Sequence, residues 1–114
     1  MAKFMMLFRA NPEVFQSMSP EQMQKVIQKW SDWRESLQKS GHLKQLGERL
    51  EGGGRVVRGK SKAITDGPYA ESKDLVLGHM SVEAKDIAEA SQIATGCPIL
   101  DGDGSVEIRP VMIV

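Results

Sequence analysis

The sequence predicts an α+β fold of the ferredoxin-like type, with the element order βαββαβ and an extra hairpin in its middle. Two observations lead to this prediction. Two segments carry apolar residues at three- and four-residue intervals, which is typical of amphipathic helices. Short apolar runs bounded by glycine and proline surround those segments and indicate strands. Because each helix has one apolar stripe, both are expected to pack on the same face of one sheet.

The first strand is predicted at residues 3–9, which are almost continuously apolar. The clearest helix is predicted at residues 19–41. Ser19 is a suitable N-cap, and Gln22 lies at the position that completes a capping box. Gly41 can end the helix in the left-handed conformation.

The middle of the chain predicts a strand at residues 43–50, a glycine turn at 52–54 and a returning strand at 55–58. The basic residues between positions 55 and 62 are interrupted by apolar residues and are expected to form a solvated hairpin. The remaining predicted elements are a short extended piece at 62–65, a strand at 75–83, a helix at 85–95 and a strand at 105–114.

One face of the predicted sheet is left without helices. Because successive side chains of a strand point to opposite faces, the sequence predicts what that face carries. The predicted side chains are Met5, Leu7, Arg9, Leu75, Leu77, His79, Glu107, Arg109 and Val111. Monomers seldom expose several large apolar side chains together. We therefore predict a homodimer in which two such faces form a dimeric α+β barrel, with a cavity between the sheet face and the Asp66 loop.

Composition excludes several classes of protein. Fifteen basic and fifteen acidic residues give a net charge of zero, without the basic excess of a nucleic-acid-binding protein. The apolar runs are too short for a membrane span, and the first residues do not form a signal peptide. We therefore predict a cytoplasmic protein that contacts neither nucleic acid nor membrane. Its single cysteine, Cys97, is predicted to be a packed thiol.

Motifs for cofactors and metals are not found in the sequence. The glycines at 52–54 lack the lysine and the helix start of a phosphate-binding loop. Residues 101–104 resemble part of a calcium loop but lack its bidentate glutamate. Histidine and cysteine do not occur at metal-ligand spacing. We therefore predict no cofactor and no metal.

Candidate catalytic residues lie in and after the turn that begins at Asp66. Turn formation alone accounts for Asp66, because its side chain can bond the backbone. Carboxylates beside a cavity can also move protons, so Asp66 and Glu71 are candidate general acids or bases. His79 could shuttle protons near neutral pH, or it could bind a carboxylate at an interface.

Candidate ligand-binding residues are Arg9, Tyr69 and Arg109. The forked donors of the two arginines suit planar anions such as carboxylates and phosphates. The alternative is that both arginines pair with nearby carboxylates, among them Glu107, and serve the structure.

Residues 66–73 read Asp-Gly-Pro-Tyr-Ala-Glu-Ser-Lys and resemble the Asp-Gly-Pro-Phe-Ala-Glu-Thr-Lys run of YCII-related proteins, in the branch named DGPF after that motif. Residues 19–23, 47–50 and 106–110 are also similar to that family. The resemblance implies a bacterial, cytoplasmic, dimeric α+β barrel without an established activity. Some relatives lie beside or are fused to sigma factors, which implies regulation. The better-studied branch has a histidine near the first helix for acid–base chemistry, and this chain has none between Arg9 and Gly41.

Two functional hypotheses follow from these residues. The first is a protein that binds a small molecule, which can be anionic, in a dimeric barrel pocket and acts in regulation. The alternative is a cofactor-free enzyme of the isomerase or lyase type, in which His79 works with Asp66 or Glu71. The absence of a histidine near the first helix favours binding, whereas His79 in a polar pocket favours catalysis.

Overall fold

The structure, a computed structural model, describes residues 1–67 and 74–113. Within these residues six strands are formed: β1 (Ala2–Ala10), β2 (Leu43–Gln45), β3 (Gly54–Arg58), β4 (Ala63–Gly67), β5 (Leu75–Ala84) and β6 (Ser105–Pro110). Three α-helices, α1 (Glu13–Gln16), α2 (Pro20–Lys39) and α3 (Ile87–Ala94), and one 3-10 helix (Pro98–Asp101) complete the described chain.

Four of the strands form one sheet in the order β2-β5-β1-β6, with every neighbouring pair antiparallel. β3 and β4 form a separate two-stranded hairpin. This α+β arrangement is compatible with a ferredoxin-like fold, and the hairpin is an extra element in the middle of the chain.

The hydrophobic core lies between the sheet and the two longer helices. In β1 the buried and half-buried residues alternate, as expected for a strand with one covered face. The buried side chains come from β1 (Phe4, Met6, Phe8, Ala10), β5 (Met80, Val82, Ala84), α2 (Trp33, Leu37) and α3 (Ala90, Ala94), with Cys97 and Ile99. The prediction that both helices cover the same face is therefore confirmed.

The N-terminus of α2 has the predicted capping box. The Ser19 hydroxyl oxygen accepts a hydrogen bond from the Gln22 backbone N–H at 3.1 Å, and the Gln22 side chain accepts one from the Ser19 N–H at 2.9 Å. At the other end Gly41 has φ +80°, the left-handed conformation that glycine tolerates best. The long helix predicted from residue 19 to residue 41 is confirmed.

A β-bulge interrupts the pairing of β1 with β5. Phe8 pairs with Gly78, but the next residue, Arg9, pairs with Val76. Leu77 is therefore an extra residue on β5, and the alternation of side chains reverses beyond it.

The bulge changes the face on which two leucines lie. Leu75 pairs with Ala10 and is 5% exposed. Leu77 is half-buried and packs against the core. The prediction that Leu75 and Leu77 lie on the uncovered face was wrong, because strict alternation does not continue through a bulge.

The strand predicted at residues 43–50 is formed in its first part, as β2. The register shifts within β2, and Gly47 then takes a left-handed φ of +68°. The chain nevertheless continues beside β5, since the Leu50 N–H donates to the Leu77 carbonyl at 2.8 Å. We call residues 46–52 the edge segment.

The central hairpin has a different partner from the one predicted. β3 was expected to pair with residues 43–50 across the glycines at 52–54, but it pairs with β4. The hairpin turn lies at Gly59 to Lys62, where both of these residues have positive φ. The prediction was wrong because residues 43–50 lie along β5 instead.

Cys97 is 2% exposed, and burial raises the pKa of its thiol to about 12. The thiolate is the reactive form, so we expect very slow labelling by 5,5′-dithiobis(2-nitrobenzoate) at about pH 8 in the folded protein, at least roughly tenfold slower than after unfolding in guanidinium chloride. Equal labelling rates in the folded and unfolded protein would show that the thiol is accessible.

Candidate functional site

A cavity of about 500 Å³ lies between α2 and the edge segment. Phe8, Met80 and Ile99, all members of the core, form part of its lining. The cavity is therefore on the helix-covered side of the sheet. Its volume falls in the range of small-molecule sites in proteins.

The walls of the cavity are mostly apolar. They comprise Phe15 from α1, Met23, Val26, Ile27 and Trp30 from α2, Leu46 and Leu50 from the edge segment, and Leu77 from β5. Helical spacing places the four α2 residues on one face of that helix. Ile27, Leu46 and Leu50 are 45–57% exposed, so the apolar lining continues to the solvent.

Three aromatic rings stand beside the cavity. Phe8 contacts Trp30 edge to face, with ring centroids 4.9 Å apart, and Trp33 lies 5.8 Å from Trp30 in a similar geometry. Trp33 is buried, whereas Trp30 is half-buried and lines the cavity. Such edge-to-face contacts favour a fixed orientation of the rings. The aromatic part of the wall is therefore held in place by the core.

Polar groups are few and come from both sides of the cavity. Gln16 and Arg34 contribute from the helices, and Glu48, Arg49 and Glu51 from the edge segment. Arg34 is half-buried, whereas the three residues of the edge segment are exposed. Within residues 1–67 and 74–113, the Arg34 guanidinium forms neither a hydrogen bond nor an ion pair.

Backbone contacts fix the edge segment on β5. The His79 N–H donates to the Glu48 carbonyl at 3.2 Å, and Arg49 forms an isolated bridge with Gly78. Gly47 lies so close to His79 that a Cβ there would overlap the His79 carbonyl oxygen and stand 2.8 Å from the His79 Nδ1. A glycine is therefore required where the segment crosses this residue.

The register places His79 in a row across the sheet. Leu7 pairs with His79 on one side and with Glu107 on the other. Side chains that are directly opposite share a face, so His79 lies on the uncovered face, as the alternation predicts. His79 is half-buried. It also contributes to the edge of the cavity, at the point where Gly47 of the edge segment passes next to it.

The two candidate ligand-binding arginines share one carboxylate. Arg9 Nε donates to Glu107 Oε1 at 3.0 Å, and Arg109 Nη1 donates to Glu107 Oε2 at 3.2 Å. Arg9 also donates to the Asp74 carbonyl at 3.2 Å. The side-chain hydrogen bond from Arg9, followed by that from Arg109, lowers the pKa of Glu107. The geometry thus shows the structural pairing that the sequence left as an alternative to anion binding.

A family model described as the YCII-related domain matches residues 2–113. This chain belongs to the YCII-related family. No curated protein matches it in sequence. The resemblance seen at residues 66–73 is therefore confirmed at the level of the family, while the narrower DGPF branch stays a prediction.

The other candidate residues of this YCII-related protein are spread over the chain. Asp66 is exposed on β4, where it lies opposite Arg55, and it does not line the cavity. Tyr69 and Glu71 lie outside the described residues. The described cavity is thus on the other side of the sheet from the one predicted beside the Asp66 loop.

Among the described residues, no group of three or more His, Cys, Asp or Glu side chains could hold a metal ion. In the same part of the chain, no helix is both long and apolar enough to cross a membrane.

Sequence reasoning did not identify Arg34 or the edge segment. Arg34 follows Trp30 by four residues, so it continues the apolar stripe of α2 with a charged group. A single arginine within the apolar stripe, four residues after Trp30 and three before Leu37, was the available signal. The cavity itself could not be foreseen, because it depends on where residues 46–52 lie.

The pairing of Glu107 with Arg9 predicts a measurable titration in this YCII-related protein. The pKa of Glu107 in the folded protein is below its ordinary value of 4.5. The pairing therefore stabilises the fold fully above pH 4.5, and this stabilisation is lost as the pH falls through the pKa of the folded state. We expect Arg9→Gln to raise the Glu107 pKa towards 4.5, and Arg109→Gln to raise it less.

The titration can be followed by carboxyl ¹³C chemical shifts of Glu107 in the wild type and in both variants. An unchanged midpoint in Arg9→Gln would show that another group holds the carboxylate in its charged form.

Proposed function

We propose that this YCII-related protein binds a small organic molecule in the cavity between α2 and the edge segment. The observation that supports this most is a preformed, mainly apolar cavity of about 500 Å³ with a few polar groups on its walls. Small-molecule sites in proteins commonly have this composition. The sequence predicted a pocket on the uncovered face of the sheet, whereas this proposal uses the cavity on the helix-covered face.

We also propose that the chain forms a homodimer through its uncovered sheet face. Met5 and Leu7 are half-buried apolar residues on that face. The hairpin, which is separate from that face, offers a second apolar pair, since Val57 and Ile64 lie directly opposite each other and are 64% and 63% exposed. Apolar groups exposed together favour association.

The test of the homodimer is sedimentation equilibrium at micromolar concentration. Twice the chain mass of 12.6 kDa is expected. A species of 12.6 kDa at every concentration would contradict the proposed homodimer.

Binding with a role in regulation is proposed in preference to catalysis. The alternative, a cofactor-free isomerase or lyase, would use His79 with Asp66 or Glu71. The contribution of His79 to the cavity edge favours that alternative, whereas its place on the uncovered face and the exposed position of Asp66 opposite Arg55 on the hairpin disfavour it. Conversion of a bound compound by the wild type, lost in His79→Ala with its affinity kept, would favour the enzyme.

A blocking substitution tests the location of the site. Ile27 lines the cavity mouth on α2, and Ile87 is similarly exposed on α3 away from the cavity. Ile27→Trp is therefore the blocking variant and Ile87→Trp its matched control. The probe is 1-anilinonaphthalene-8-sulfonate, whose fluorescence rises in apolar sites.

We expect the wild type and Ile87→Trp to bind the probe with equal affinity, and Ile27→Trp to bind it at least roughly tenfold more weakly, since one blocked apolar subsite changes affinity by this order. Equal binding by all three proteins would rule out the cavity as the site. Circular dichroism of each variant provides the check on folding.

A further inference from the structure

We propose that the cavity selects molecules with an apolar or aromatic body and a carboxylate group, and that Arg34 binds the carboxylate. This inference rests on the proposed function, since it assigns a chemical class to the ligand of the same cavity. It assigns to Arg34 a role that neither the motif at residues 66–73 nor the pair of arginines on the sheet supplies.

The first argument is the missing counterion of Arg34. Two other basic residues of α2 have partners, since Lys29 pairs with Asp101 at 3.0 Å and Lys39 with Glu35 at 3.1 Å; Lys25 has none among the described residues, but it is exposed. Arg34 is less exposed than these lysines, and within the described residues it has no such partner. A half-buried charge is costly unless it is paired. A ligand carboxylate can supply that pairing with two parallel hydrogen bonds.

The second argument is the position of Arg34 on the helix. Positions three and four residues away on either side of it carry Trp30, Ser31, Leu37 and Gln38, so its own helix offers no carboxylate. Arg34 lies about 6 Å along the helix axis from Trp30, at one end of the row of α2 residues that line the cavity and that begins at Met23. The stripe from Met23 to Trp30 is about 10 Å long. An apolar body of that length with a terminal carboxylate matches this arrangement.

The third argument concerns the other charges around the cavity. Glu48 and Glu51 line it from the edge segment, but both are exposed and neither forms an ion pair with Arg34. Arg49 is exposed as well. Solvent screens exposed charges strongly, so they contribute less to ligand choice than the half-buried Arg34.

The experiment compares three probes of equal chain length: decanoate, 1-decanol and decylammonium. Isothermal titration calorimetry is performed with the wild type, Arg34→Gln, Arg109→Gln and the blocking variant Ile27→Trp. Arg109→Gln is the matched control, because it removes an arginine from the uncovered sheet face.

We expect the wild type and Arg109→Gln to bind decanoate at least roughly tenfold more tightly than decanol, as hydrogen bonds to charged groups allow. Arg34→Gln should lose this preference while its affinity for decanol stays unchanged. Decylammonium should bind most weakly to the wild type. Ile27→Trp should weaken binding of every probe.

The outcomes separate the two proposals. Equal affinity for decanoate and decanol in the wild type, with both blocked by Ile27→Trp, would overturn the role of Arg34 and keep the cavity. A preference that disappears in Arg109→Gln but persists in Arg34→Gln would place the anion on the uncovered sheet face. If none of the three probes binds, the ligand class is overturned, and the naphthalene sulfonate titration decides separately on the cavity.

Discussion

Gly47→Ala is expected to detach the edge segment from β5 and to reduce the free energy of unfolding by about 2–4 kcal/mol. Two effects act together. An alanine at φ +68° costs about 1–2 kcal/mol, because its Cβ approaches its own carbonyl oxygen. In addition, the new Cβ would overlap the His79 carbonyl group, which is part of the sheet and cannot move away alone. Urea unfolding followed by tryptophan fluorescence measures the change.

Two other glycines separate these effects. Gly59 has φ +66° but nothing within 4 Å of its added Cβ, so Gly59→Ala should show the backbone cost alone, about 1–2 kcal/mol. Gly53 has neither a positive φ nor a neighbour there, and Gly53→Ala should change stability by less than about 1 kcal/mol. If Gly47→Ala costs no more than Gly59→Ala, the contact with His79 does not constrain the segment.

Phe8→Ala is expected to reduce the free energy of unfolding by about 3–5 kcal/mol. Phe8 is 5% exposed and contacts both Trp30 and Trp33 edge to face. Alanine would leave a void beneath both indoles that backbone movement in the central strand cannot fill. The same urea titration, combined with near-ultraviolet circular dichroism of the tryptophans, reports the loss.

Phe15 provides the matched control for this substitution. It is half-buried on α1 and lines the cavity outside the core. Because less of its surface is removed from water, Phe15→Ala should cost about 1 kcal/mol. Equal losses for Phe8→Ala and Phe15→Ala would show that burial does not set the ranking.

Local signals in the sequence were sufficient to predict the two longer helices, α2 and α3, but not α1 or the 3-10 helix. The capping box at Ser19 and Gln22 and the left-handed Gly41 are interactions between near neighbours in the chain, so the sequence contains the whole arrangement. The alternation of β1 was readable for the same reason. Alternation failed at Leu75 because the bulge depends on how β5 pairs with β1, and that pairing is a long-range property.

The candidate site was less predictable than the fold. The sequence indicated His79 and the arginines of the sheet, but the cavity depends on residues 46–52 lying along β5 rather than pairing with residues 55–58. Gly47 permits that path. A glycine is needed there because the segment lies against His79, which is 32 positions away in the sequence. Arg34 becomes notable once its surroundings are known, since a charged residue on a helix is otherwise ordinary.

The hairpin of β3 and β4 has a consequence for the electrostatics of the whole molecule. Its strands and turn carry four basic residues, Arg55, Arg58, Lys60 and Lys62, and one acidic residue, Asp66. Since the chain is neutral overall, the remainder has three more acidic than basic side chains. The molecule is therefore an electric dipole despite its zero net charge. Near neutral pH it should adhere to both cation and anion exchangers at low salt and be released from both at moderate salt.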